Sequence, residues 1–124
     1  MHQFLPYAWF EGRCIPFDQA KVSIATHALH YGTGAFGGMR AIPDPEKPGG
    51  MLLFRPDRHA RRLSQSAKLL LADLTEETVM EALVAVLRAN KPTTPIYLRP
   101  FVYTSDLGIA PRLHNIETDF LIYG

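Results

Sequence analysis

The sequence predicts an α+β domain built on a largely antiparallel sheet with two main helices. Three observations carry that prediction. Short apolar runs bounded by turn residues lie near both ends of the chain, two segments between residues 56 and 90 repeat apolar residues at spacings of three and four, and residues 96–104 alternate with period two.

Taken in order, residues 8–10 and 13–17 flank Glu11-Gly12 and read as a hairpin. A short helical turn is expected over 26–30, followed by a strand over 36–42. Residues 43–50 hold three prolines and two glycines and form a surface loop. A strand over 51–54 then returns to pair with 36–42. Pro56 suits the first turn of the next helix, where a missing N–H costs nothing. Ala60, Leu63, Ala67 and Leu70 or Leu71 mark that helix as amphipathic. Thr75 can cap a second helix, with Glu76 and Glu77 favourably placed in its first turn. Val79, Leu83, Val86 and Leu87 form its apolar stripe, and Arg88 and Asn90 suit its end. Strands over 96–104 and 120–123 complete the chain.

Composition narrows the functional classes. The 124 residues are 47% hydrophobic and 20% charged, which indicates one globular domain. A net charge of +1 gives no electrostatic reason to expect nucleic acid or an anionic membrane. No apolar run approaches the ~20 residues of a membrane helix, and no signal-peptide pattern precedes Trp9. Cys14 has no partner for an internal disulfide and reads as a packed strand residue. The cytoplasm is the expected compartment.

The densest run of chemically useful residues is His27-Ala-Leu-His-Tyr-Gly-Thr-Gly-Ala-Phe-Gly-Gly-Met-Arg40, with four glycines in fourteen residues. Such clusters suit ligand pockets, where small residues make space and a few polar groups fix orientation; a Gly-rich turn leading into a buried strand is the plainer reading. Farther on, Arg55, Arg58, Arg61 and Arg62 crowd one helix start, and Arg55, Arg58 and Arg62 are spaced to share a side. Paired guanidinium N–H groups bind phosphate well, although a solvated basic face fits the same spacing. Across 96–104, Ile96, Leu98, Pro100 and Val102 face one way, and Tyr97, Arg99, Phe101 and Tyr103 the other. Pro100 suggests a sheet edge or a bulge. His27 and His30 stand three apart but lack a third ligand at useful spacing, so no metal is expected.

The run from His27 to Arg40 resembles the signature of the class IV, fold-type IV pyridoxal-phosphate aminotransferases, and most closely that of the branched-chain amino acid aminotransferases. The resemblance begins at Ala8-Trp-Phe-Glu-Gly12. It continues through Phe54-Arg-Pro-Asp-Arg-His-Ala-Arg-Arg-Leu63 and Ser66-Ala-Lys68 to Tyr97-Leu-Arg-Pro100 and the loop Ser105-Asp-Leu-Gly-Ile-Ala-Pro111. It implies the small amino-terminal domain of such an enzyme. The whole would exchange the amino group between leucine, isoleucine or valine and 2-oxoglutarate, using pyridoxal 5'-phosphate.

By that resemblance Arg62 would grip the cofactor phosphate, with His59 in support. Tyr31, Phe36, Gly38, Tyr97 and Arg99 would lie on the substrate side. Arg40 would organise the neighbouring network. Ile109 and Pro111 would reach the partner subunit's site, which implies a homodimer or a higher homo-oligomer. The family often carries an acidic residue where this chain has Gly37. The lysine that holds the cofactor lies, in the family, in a second domain. Lys21, Lys47, Lys68 and Lys91 match no such motif and read as surface charges, so residues 1–124 alone are expected to be inactive, with the lysine-bearing domain absent from this chain. D-amino acid aminotransferases and aminodeoxychorismate lyases share the cofactor chemistry. A lysine-less, non-catalytic phosphate-ligand or interaction module is the alternative from another class.

Overall fold

In the computed structural model, which describes residues 3–124, strands β1 (Tyr7–Phe10) and β2 (Arg13–Pro16) turn about Glu11 and Gly12. Both turn residues have positive φ, 52° and 81°, the backbone that lets a two-residue turn follow the strand twist. A 3-10 turn over Phe17–Gln19 leads to α1 (His27–Tyr31), one residue later than the predicted turn. Then come β3 (Gly34–Phe36), β4 (Met39–Pro43) and β5 (Met51–Leu53). The helices α2 (Pro56–Lys68) and α3 (Glu76–Asn90) follow, and β6 (Ile96–Thr104) and β7 (Thr118–Tyr123) close the chain. No helix among the described residues is long and apolar enough to cross a membrane.

All seven strands join one sheet of order β2-β1-β7-β6-β4-β5, with β3 paired to β6 ahead of β4, and every pairing is antiparallel. The single strand expected over 36–42 is therefore two pieces. They keep one register, because Phe36 faces Phe101 and Met39 faces Leu98. Between them Gly37 donates its N–H to the Pro100 carbonyl at 2.9 Å. Pro100 has no N–H to return, so the ladder lapses across Gly37 and Gly38. Pro100 thus sits in the middle strand, with no extra residue on either side of it. Glycines facing it replace the edge or bulge that a strand proline suggests.

The helices cover one side of this sheet. Thr75 caps α3 by accepting from the Thr78 N–H at 3.1 Å, and Pro56 opens α2, both as the sequence predicts. Leu63 and Ala67 of α2 meet Val79, Leu83 and Val86 of α3 over Leu98, Val102 and Ile122 of the sheet. Leu83, Leu98 and Ile122 are fully buried, so each contributes on the order of 2 kcal/mol of transfer free energy. Cys14 lies in β2, half-buried against this core, where burial pushes its thiol pKa up. The opposite side of the sheet, bearing Tyr97, Arg99 and Phe101, is the more open one.

Asn90 joins the last turn of α3 to the sheet. Its Oδ1 accepts from the Tyr7 N–H at 2.9 Å, and its Nδ2 donates to the Tyr7 and Val86 carbonyls at 3.0 and 2.8 Å. The side-chain amide serves as a strand partner that β1 otherwise lacks at Tyr7. Asn90→Ala should lower the unfolding free energy by about 1–2 kcal/mol in urea titrations, with an unchanged denaturant slope.

Candidate functional site

The candidate site residues gather around the break between β3 and β4. On the open face, Arg99 donates from Nε and Nη2 to the Tyr97 hydroxyl at 3.3 and 3.1 Å. Its guanidinium also stands 4.2 Å from the centre of the Phe36 ring. Two of its five N–H groups are thereby used, leaving three for a ligand. The ring face and the phenol oxygen fix the direction in which those donors point, and the cation–π contact contributes about 0.5–2 kcal/mol. Gly38 makes this possible. A methyl group there would overlap the Tyr97 hydroxyl and lie 2.6 Å from its Cζ, so the phenol occupies room that a side chain would take.

Phe36, Arg99, Phe101, Leu121 and Tyr123 line an apolar cavity of about 470 Å³, together with Phe4 and Phe17. Phe4 and Phe17 stack at 4.8 Å between ring centroids, and both approach Tyr123. Phe101 and Tyr103 stack at 5.3 Å. The cavity therefore offers aliphatic and aromatic walls with a single fixed cation. Leu121 and Tyr123 escaped the sequence reading, although their alternation with Phe120 and Ile122 already put them on the face of Arg99. Phe4 and Phe17 carried no such signal, since they come from irregular chain and a 3-10 turn.

Arg62 lies on the other side of the sheet. A Cβ at Gly37 would stand 3.6 Å from both Arg62 Nη2 and Pro100 Cγ, so only glycine main chain separates the guanidinium from the strand break. The predicted row of arginines is shorter than the spacing suggested. Arg55 precedes α2 with left-handed backbone (φ 48°) and pairs with Asp57 at 3.0 Å. Arg61 reaches Glu76 at 3.6 Å. Arg58 and Arg62 have no carboxylate partner among the described residues. His59 is half-buried in α2.

Tyr31 and the loop after β6 form a third group. The Tyr31 hydroxyl donates to the Ile109 carbonyl, and Ile109, Ala110 and Pro111 are exposed. His27 is buried between them and β6, while His30 bonds the Ile24 carbonyl at 2.8 Å. The two histidines are thus engaged by protein oxygens. Arg40 is exposed on β4 opposite Tyr97. Lys21, Lys47, Lys68 and Lys91 are all exposed, as predicted.

No family model matches the chain. A probable branched-chain-amino-acid aminotransferase of Synechocystis sp. is 60% identical over 124 residues, which is all of this chain and 41% of that protein. The branched-chain aminotransferase of the archaeon Thermoproteus uzoniensis, solved with norvaline, superposes with a TM-score of 0.86 at 31% identity, over 97% of this chain and 40% of that one. The branched-chain amino acid aminotransferase of Thermobaculum terrenum, solved in its PLP form, gives 0.84 at 27% identity, over 98% and 40%.

The chain belongs to the branched-chain aminotransferase family.

It spans about two-fifths of the length of the relatives it matches. Membership agrees with the α+β sheet and with the order of the motifs along the chain.

Beyond the cavity, the open face carries Tyr103 and Asp119 side by side across β6 and β7. Burial, helped by Asp119 and Glu11, raises the Tyr103 pKa above the usual phenol range. Burial raises that of Asp119 too, against the opposing hydrogen bond from the Phe120 N–H. A carboxyl whose folded pKa is raised binds more protons folded than unfolded, so its contribution to stability falls as pH rises through that range. Asp119→Asn keeps the acceptor for the Phe120 N–H. It should raise Tm at pH 7 and lose this advantage near pH 4, a difference that thermal melts at the two pH values would reveal. At the centre of the site, Gly38→Ala should turn the Tyr97 ring away and break its bonds to Arg99. The unfolding free energy should change by less than about 1 kcal/mol, because a flexible side chain rather than backbone must move. A crystal structure of the variant with Tyr97 still on Arg99 would contradict this account.

Proposed function

We propose that residues 1–124 are the amino-terminal domain of a longer pyridoxal-phosphate-dependent aminotransferase. The complete enzyme moves the amino group of L-leucine, L-isoleucine or L-valine to 2-oxoglutarate, and back. One observation carries this reading: an arginine held by a phenol and an aromatic ring points into an otherwise apolar cavity beside a strand break. Such a site suits a small acid with an aliphatic tail. Arg99 supplies donors for a carboxylate, Tyr97 orients it, Phe36 walls the tail, and the three remaining N–H groups of Arg99 suit the second carboxylate of the oxo-acid partner.

The residues present also fit the cofactor. Arg62 is exposed, lacks a carboxylate partner among the described residues, and faces main chain at Gly37 where nothing but glycine intervenes. A planar fork beside main-chain groups is a suitable anchor for a phosphate. When bound, pyridoxal phosphate acts as an electron sink for the α-carbon of the amino acid. The lysine that holds it and moves the α-proton belongs to the rest of the enzyme: all four lysines here are exposed, none lines the cavity, and none stands in a matching motif. The exposed Ile109–Pro111 loop supports a homodimer or a higher homo-oligomer, in which it would complete a neighbouring subunit's site. A cytoplasmic location accords with this chemistry.

The direct test is amino-group transfer by the full-length protein, with L-leucine compared against D-alanine. Robust transfer from L-leucine and none from D-alanine is expected; the reverse preference would move the enzyme to another member of the class. Residues 1–124 alone should not transaminate. In the full-length protein, Arg62→Ala should raise the pyridoxal phosphate concentration needed for half-saturation by about 10- to 100-fold, because charge-assisted hydrogen bonds are lost. Arg62→Lys should fall between, keeping the charge and losing the fork.

A further inference from the structure

The buried histidine of the Gly-rich segment is the group that the proposed reaction leaves unused. His27 is 2% exposed, and its ring makes polar contacts on both nitrogens. Nε2 lies 2.8 Å from the Ala110 carbonyl. Because a carbonyl can only accept, Nε2 carries a proton and donates it there. Nδ1 lies 2.9 Å from Thr33 Oγ1 and 3.0 Å from Thr104 Oγ1, and the two hydroxyls bond each other. The His27 main-chain N–H donates to the Asp106 carbonyl at 2.9 Å. One residue thus ties α1 to the start of β3, the end of β6 and the loop beyond it.

The partner at the other end of α1 is Tyr31. Its ring packs against the imidazole at 4.6 Å between centroids, and its hydroxyl donates to the Ile109 carbonyl. Two side chains four residues apart on one helix therefore donate to two consecutive carbonyls of the exposed loop. The loop's other ties are few: the Gly108 N–H to the Ala25 carbonyl at 3.3 Å, a bridge between Thr26 and Leu107, and its own bond from the Arg112 N–H to the Ala110 carbonyl at 2.8 Å. Neither Thr33 nor Thr104 contacts the loop through its side chain, so His27 is what relays their fixed position to Ala110.

We infer that His27 is a positioning residue: it sets where Tyr31 and the Ile109–Pro111 loop stand, and through that loop the neighbouring subunit's site that it would complete. It touches no reacting atom. The inference rests on the aminotransferase reading only for its kinetic consequence, since the mechanical link is independent of any reaction.

The experiment uses the full-length protein and three variants. His27→Phe fills the volume without a donor, and His27→Gln can still present an N–H near the position of Nε2. Thr33→Val removes one partner of Nδ1 and leaves the ring in place. Amide hydrogen exchange reads the loop directly. At Gly108 and Arg112 it should quicken by about tenfold in His27→Phe, less in Thr33→Val, and return toward wild type in His27→Gln. With L-leucine as substrate, KM should rise and kcat/KM fall by about 10- to 100-fold in His27→Phe, with cofactor occupancy unchanged and partial rescue by His27→Gln. Equal exchange at Gly108 and Arg112 in all variants would overturn the inference. So would a His27→Phe protein whose activity falls only in proportion to its lost cofactor. If His27→Phe does not fold, exchange in Thr33→Val decides, and wild-type rates there would refute the link. A wild-type protein inactive on every branched-chain substrate would sink the aminotransferase reading and leave the exchange result to judge His27.

Discussion

A proline in the middle strand of the sheet is the constraint on which the site depends. Pro100 is buried with β7 on one side and β3 and β4 on the other, a position where most sheets exclude proline because a ladder bond is lost. The loss is confined to one place, opposite Gly37, and the chain meets it with two glycines in succession. That pair removes side chains from both faces of the sheet at one spot. On the helix face the opening lies beside Arg62, and on the open face it receives the Tyr97 hydroxyl, which holds Arg99. Two arginines, Arg62 and Arg99, are thereby placed on either side of a single thin patch of main chain.

The rest of the fold keeps this patch still. The two long helices bury Leu98 and Val102 from behind, which fixes β6, and β6 in turn fixes every side chain on its front face by alternation. Two supports lie outside the regular ladder: Asn90 finishes the pairing of β1, and His27 fastens the loop after β6. Both use side-chain groups where main-chain partners are missing. The open face holds more apolar surface than a solvated sheet face requires, with Phe36 60% exposed and Tyr97 47% exposed. That surface suits an apolar ligand.

Much of this was legible in the sequence, and the remainder failed for physical reasons. The helices announced themselves through the spacing of Leu63, Ala67, Leu83 and Val86, and Thr75 capped as its chemistry suggests. Period two in β6 separated Leu98 from Arg99 correctly. The split of the strand over 36–42 could not be read locally, because it depends on Pro100 being the residue opposite Gly37. The row of Arg55, Arg58 and Arg62 assumed helix where Arg55 has left-handed backbone and its own partner, Asp57. His27 looked like half of a poor metal site; its partners Thr104 and Ala110 stand 77 and 83 residues away, beyond the reach of any local pattern. Arg62 was singled out from its arginine cluster by motif resemblance, and its proximity to Gly37 is a tertiary fact.

The claim that most needs testing is that the face of β6 bearing Tyr97, Arg99 and Phe101 is the substrate side. A crystal structure of the full-length protein with its cofactor and a branched-chain 2-oxo acid measures this directly. The account predicts the acid against that face, its carboxylate on the Arg99 side of the cavity and its aliphatic tail beside Phe36. Density for the acid away from β6, with Arg99 still turned wholly onto Tyr97 and Phe36, would contradict it.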